Sequence, residues 1–127
     1  MTIVIRRVEL SILAQATKRL RELALAGVPN EVCGAIYYGD IVVQYPNILD
    51  NSEFDNNSHY AAQVDMKMNG KDLRAIWHSH PAGSLEPSKT DEEFMRTMVK
   101  RGHHFNHIIA TPNQVVEYEA VFVDGNS

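Results

Sequence analysis

The stretch from Leu73 to His80, followed at once by Pro81, constrains this chain most. Leu73, Ala75 and Trp77 fall on one side at a period of two, and Ile76, His78 and His80 on the other. That alternation predicts a strand. Two imidazoles then project from the same side of one strand end, with Ser79 on the opposite side. Pro81 to Pro87 reads as a loop, and Ser88 to Arg101 as a helix whose apolar face is Phe94, Met95, Met98 and Val99, with Gly102 after its end.

The flanking segments supply the rest of the fold. Ile12, Leu13, Ala16, Leu20, Leu23 and Ala24 recur at helical spacing, which predicts a helix over Ser11 to Ala26. Gly27 can end it in the left-handed conformation, and Pro29 prevents its resumption. Val32–Tyr38 and Ile41–Tyr45 read as strands joined at Gly39-Asp40, a hairpin signal. Leu49 to Ser58 is polar and rich in Asn and Asp, hence a surface loop. His59–Val64 reads as a short strand, and Asp65–Asp72 stays ambiguous. His107–Thr111 and Val115–Val123 read as two further strands. Helix, strands, helix, strands predicts an α/β class, with one central mixed β-sheet flanked by helices.

At 127 residues the chain is one domain, long enough to bury a core unaided. Residues 1–124 are expected to form it, with 125–127 as a polar C-terminal tail. The single cysteine, Cys33, excludes an internal disulfide and a cysteine-rich metal site, so any metal must be held by His and carboxylate. The net charge of -4 is spread without a basic stripe, which disfavours a nucleic-acid partner. The apolar stretch from Met1 to Leu13 is broken by Arg6 and Arg7 too soon for a signal peptide, and no apolar run reaches a membrane span. The expectation is a cytoplasmic protein; a phage origin fits the same facts.

The chemistry concentrates in His78-Ser79-His80-Pro81 and Ser88-Lys89-Thr90-Asp91. Asp91 falls in the first turn of the second helix, where the helix dipole favours a carboxylate. A ten-residue loop can fold it back onto the strand end. Two histidines, one carboxylate and an open fourth position match a catalytic zinc site, although Fe²⁺ or Co²⁺ also suits such ligands. Zinc there would lower the pKa of a bound water from about 15.7 to about 7. The reaction would still need a base and a donor for the oxyanion. Ser88 can supply a hydroxyl; the base must be an acidic residue from elsewhere.

These residues reproduce the pattern H-[ST]-H-P-x(6)-S-x-x-D and so resemble the JAMM (MPN-plus) metallopeptidases. Glu31-Val32-Cys33-Gly34 is similar to the family's upstream glutamate stretch. The resemblance spans nearly the whole chain. It implies one zinc ion held by His78, His80 and Asp91, Glu31 as general base, Ser88 at the oxyanion, and a cytidine-deaminase-like fold. It further implies hydrolysis of a peptide or isopeptide bond, with a ubiquitin-like or sulfur-carrier tail as substrate. A phage tail-assembly peptidase and a catalytically silent zinc-binding interaction module are the alternatives.

Other readings compete at single positions. Ser88 with an acidic residue three later is also close to a helix capping box, which does not exclude a metal role for Asp91. Taken alone, Glu31 is an exposed residue in the Pro29-Asn30 turn. Cys33 reads as a small buried hydrophobe. Trp77 and Phe94 read as core. His103, His104 and His107 read as solvated surface near a helix end, and His59 gets no role. No H-E-x-x-H, nucleobase-deaminase, G-x-S-x-G or phosphate-loop pattern is present.

Overall fold

A computed structural model describes residues 2–45 and 73–124. The expected loop over Leu49–Ser58, the short strand His59–Val64, the segment Asp65–Asp72 and the tail at 125–127 lie outside them. In chain order the elements are β1 (Thr2–Val8), α1 (Ala14–Gly27), β2 (Cys33–Tyr37), β3 (Ile41–Tyr45), β4 (Leu73–Ser79), α2 (Lys89–Lys100), β5 (Asn106–Ala110) and β6 (Val115–Val123). Among the described residues the strands form one six-stranded sheet in the order β1-β6-β5-β4-β2-β3. Among these strands β4 and β5 pair in parallel, and the other pairings are antiparallel. The predicted mixed sheet with flanking helices is therefore the architecture found.

Strand alternation divides the core between the two faces. Ile36, Ala75, Trp77, Ile108 and Ala110 pack with Ala16, Leu20 and Ala24 of α1. The intervening residues, Cys33, Ala35 and Ile76, pack with Phe94 and Met98 of α2, and Ile109, Val116 and Tyr118 with its Met95 and Val99. Among the described residues the sheet thus lies between one helix on each face. The parallel pair β4 and β5 is joined through α2, which carries the start of α2 to the carboxyl end of β4. In open α/β sheets that end is where ligands bind.

Several expectations need adjusting. Ser11, Ile12 and Leu13 precede α1 rather than opening it. Ile12 is still buried, but Leu13 is 63% exposed. The apolar recurrence therefore began before the helix did. The hairpin closes over three residues, Tyr38 to Asp40, with positive φ at Gly39 and Asp40. The segment Thr2–Val8, considered in the sequence only as a leader, is an edge strand paired with β6 along its full length.

A polar network holds the sheet end remote from Pro81. Glu117, 2% exposed, accepts from Ser11 N at 2.9 Å, Ser11 Oγ at 3.0 Å and Asn106 Nδ2 at 2.7 Å. A buried carboxylate is tolerable only with such partners. Arg74 pairs with Asp40 and donates to Ser11 O at 2.6 Å, tying the β2–β3 turn to the segment before α1. Among the described residues no helix is long and apolar enough to cross a membrane.

Candidate metal centre

His78 and His80 extend from the end of β4 on the face covered by α2. Their Nε2 atoms lie 3.1 Å apart. Asp91 reaches them from the first turn of α2: its Oδ2 is 3.1 Å from His78 Nε2 and 3.0 Å from His80 Nε2. The helix start positions that carboxylate. Ser88 is the N-cap, its Oγ accepting from Asp91 N at 3.1 Å, while Asp91 Oδ2 accepts from Ser88 N at 2.8 Å. The capping box and the approach to the histidines are both present, made by the same side chain.

The loop after Pro81 orients His80. Its Nδ1 lies 2.9 Å from the carbonyl oxygen of Ser84. A carbonyl only accepts, so Nδ1 carries the proton and the lone pair of a neutral ring sits on Nε2, facing the centre. Gly83 N donates back to His80 O at 3.0 Å. Tyr118 Oη donates to Leu85 O at 2.7 Å, anchoring the loop to β6. Nothing in the sequence pointed to Ser84, because a backbone carbonyl leaves no trace in residue type.

Glu31 lies two residues before the start of β2. Ligand atoms of Glu31, His78 and His80 all lie within 4.8 Å of one another, so these three can hold a metal ion. Glu31 is half-buried, which separates it from the exposed turn residue that its local sequence suggested. The histidine pair therefore faces two carboxylates. Asp91 Oδ2 completes with the two Nε2 atoms a triangle of donor atoms with edges of 3.0 to 3.1 Å. Tetrahedral ligands about 2.0–2.1 Å from zinc stand roughly 3.3 Å apart, so the triangle fits such an ion.

The electrostatics agree with a cation site. Burial alone would raise the Asp91 carboxyl, but hydrogen bonds from His78 and His80 outweigh it and hold the group well below the usual carboxylate range. Burial lowers His80, yet its bonds to Asp91 and to the Ser84 carbonyl carry the net shift upward. Both shifts report the same charge arrangement, in which the carboxylate favours a positive charge among the ring nitrogens.

The family described as prokaryotic homologs of the JAB domain matches residues 13–123. The chain belongs to that family. Its JAB/MPN fold is shared with a JAB1/MPN domain protein from Archaeoglobus fulgidus, at 21% identity and a TM-score of 0.54, covering 86% of this chain and 92% of that one. It is also similar to a solution structure of a protein from Desulfitobacterium hafniense, at 22% identity and a TM-score of 0.52, covering 90% and 84%. No curated protein matches the sequence. Within this JAB domain the histidine pair lies beside both Asp91 and Glu31.

The second histidine group needs a correction. His104 is exposed and His103 half-buried, stacked on Phe105 with ring centroids 6.0 Å apart. His107, expected as solvated surface, is 3% exposed. It lies on β5, on the α2 face, between Phe94 at 5.9 Å and Phe105 at 5.3 Å between centroids. The strand's alternation, not the run of histidines, decides where it points.

Proposed function

We propose that this JAB domain hydrolyses a peptide or isopeptide bond with zinc held by His78, His80 and Asp91. The observation that carries the reading is the convergence of the two Nε2 atoms and Asp91 Oδ2 at 3.0 to 3.1 Å, with Glu31 close by. The Asp91 triangle comes close to the donor spacing of tetrahedral zinc, and on that ground Asp91 is the third ligand in this reading. Glu31, beside the same histidines, is then left to move protons.

The chemistry that zinc supplies in such a site is polarisation of a carbonyl and a water that ionises near neutral pH. The chain's own groups do the rest. Glu31 takes a proton from the attacking water and returns it to the leaving amine. The Ser88 hydroxyl, whose oxygen caps α2, keeps its hydrogen to donate to the developing oxyanion. The Ser84 carbonyl holds His80 in the tautomer that presents Nε2. The substrate we favour is the extended tail of a ubiquitin-like or sulfur-carrier protein, a partner that can be captured along a sheet edge.

Metal analysis and cleavage of a ubiquitin-like tail fused to a reporter test this together. Wild-type protein should carry about one zinc per chain. Glu31→Gln should keep the metal and lose cleavage, and His80→Ala should lose both. Equal cleavage by wild type and Glu31→Gln would remove Glu31 as the base. Full zinc with no amide cleaved would favour an interaction module instead.

A further inference from the structure

Ser79 stands between the two histidines but faces away from them, and it is fully buried. On the β2 side its hydrogen bonds lead to one residue. Ser79 N donates to Val32 O at 2.8 Å, and Ser79 Oγ accepts from Val32 N at 2.9 Å. The β2–β4 ladder runs antiparallel, with Cys33 opposite His78, so the next pair outward is Val32 and Ser79. Opposed residues at a hydrogen-bonded position normally exchange two main-chain bonds. Here one is main-chain and the other ends on the serine hydroxyl. The side chain replaces its own carbonyl as acceptor, and the incoming chain is gripped at both polar atoms of Val32.

Glu31 is the residue just outside that grip. We infer that Ser79 is a positioning residue that sets Glu31 opposite His78 and His80 by clamping the Val32 peptide to the end of β4. This inference rests on the proposed role of Glu31. A single strand end then fixes both halves of the site: His78 and His80 point from one face, and Ser79 on the other fixes the segment that carries Glu31. Alanine at 79 leaves the Val32 N–H without its acceptor and lets the preceding residue drift. A misplacement of about 1 Å is enough to cost on the order of 100-fold in rate. Threonine keeps the hydroxyl, and the H-[ST]-H-P pattern admits it.

The test uses the full-length, zinc-loaded protein with Ser79→Ala and Ser79→Thr, beside Glu31→Gln, on the ubiquitin-like tail reporter. Ser79→Ala should lower kcat by about 10- to 100-fold with KM and zinc content near wild type, and Ser79→Thr should restore kcat. Independently of activity, hydrogen exchange at the Val32 amide should speed up by about tenfold or more in Ser79→Ala and not in Ser79→Thr. Loss of zinc in Ser79→Ala would overturn the inference, because the histidines and not Glu31 would then be disturbed. Unchanged Val32 exchange would overturn it even if no substrate were cut. If Glu31→Gln is inactive while Ser79→Ala is fully active, this inference falls and the proposed function stands. If Glu31→Gln cleaves like wild type, the proposed function falls first.

Discussion

Asp91 Oδ2 lies 3.0 Å from His80 Nε2. The same oxygen accepts the Ser88 amide at 2.8 Å, so one atom both closes the start of α2 and faces the histidine pair. The two roles separate by mutation. Asp91→Asn keeps an oxygen for the Ser88 amide but removes the charge and adds a donor where acceptors are needed. It should bind zinc at least about tenfold more weakly while the start of α2 stays capped. Ser88→Ala should do the reverse, keeping the zinc and losing about 1 kcal/mol with the cap. Zinc titration and urea unfolding of both chelated proteins measure this. Swapped signatures would show that Asp91 is a cap and not a ligand.

Gly34 marks a close crossing of three strands. It sits opposite Trp77, whose Nε1 donates to Val43 O at 3.1 Å across β2. A Cβ at position 34 would lie 1.8 Å from Val43 O and 2.7 Å from Trp77 Nε1. The nearer obstacle is backbone and cannot swing aside, so β3 would have to leave the ladder. Gly34→Ala should therefore lose more than about 3 kcal/mol, or fail to fold. Trp77→Phe, which forfeits the hydrogen bond but keeps an aromatic ring, should cost about 1–3 kcal/mol. A Gly34→Ala protein with a wild-type urea midpoint would refute the crossing.

How much of this was legible follows from the range of the signals. The convergence of His78, His80 and Asp91 was readable because its parts are local: a period of two around His78 and His80, a fixed loop, and a helix start at Ser88. The glycine of the Glu31-Val32-Cys33-Gly34 stretch was visible as a motif, but its reason, the close approach of the Val43 backbone with the Trp77 indole reaching it from β4, was not. β1 went unread because Arg6 and Arg7 interrupt its apolar run. Its stability comes from pairing with β6, where Arg6 faces Glu119 and Arg6 Nε donates to Glu119 Oε1 at 2.6 Å. Such long-range pairing leaves no local pattern. His107 was misread because neighbouring histidines suggested one shared environment, whereas successive residues on a strand face opposite layers.

Cys33 should be inert in the folded protein. It is fully buried on the α2 face, opposite His78 in the ladder. Burial, with Glu31 adding to it, pushes its thiol up to about 12. A thiol that is both inaccessible and protonated does not attack disulfide reagents. Aromatic disulfide reagent should titrate no thiol in native protein and one per chain in denaturant. Rapid native labelling would mean that the strand end bearing the site opens readily.

His107 should make the fold acid-sensitive. Burial drives its pKa down to about 3, with the nearby His78 adding to the effect. Its ordinary value is near 6.5. Between those values the unfolded chain holds a proton at this position and the folded chain does not, so stability falls as pH is lowered through the unfolded value and continues to fall until about 3. The slope from this one group approaches roughly 1.4 kcal/mol per pH unit. Going from pH 7 to pH 5 it should cost on the order of 2 kcal/mol. His107→Leu removes the group while filling the space between Phe94 and Phe105. Urea unfolding of chelated wild type and variant at the two pH values isolates its share, since the other carboxylates and histidines are common to both. The variant should lose less stability on acidification by about that amount. Parallel losses in the two proteins would place His107 in contact with water, where its sequence neighbours had suggested it belonged.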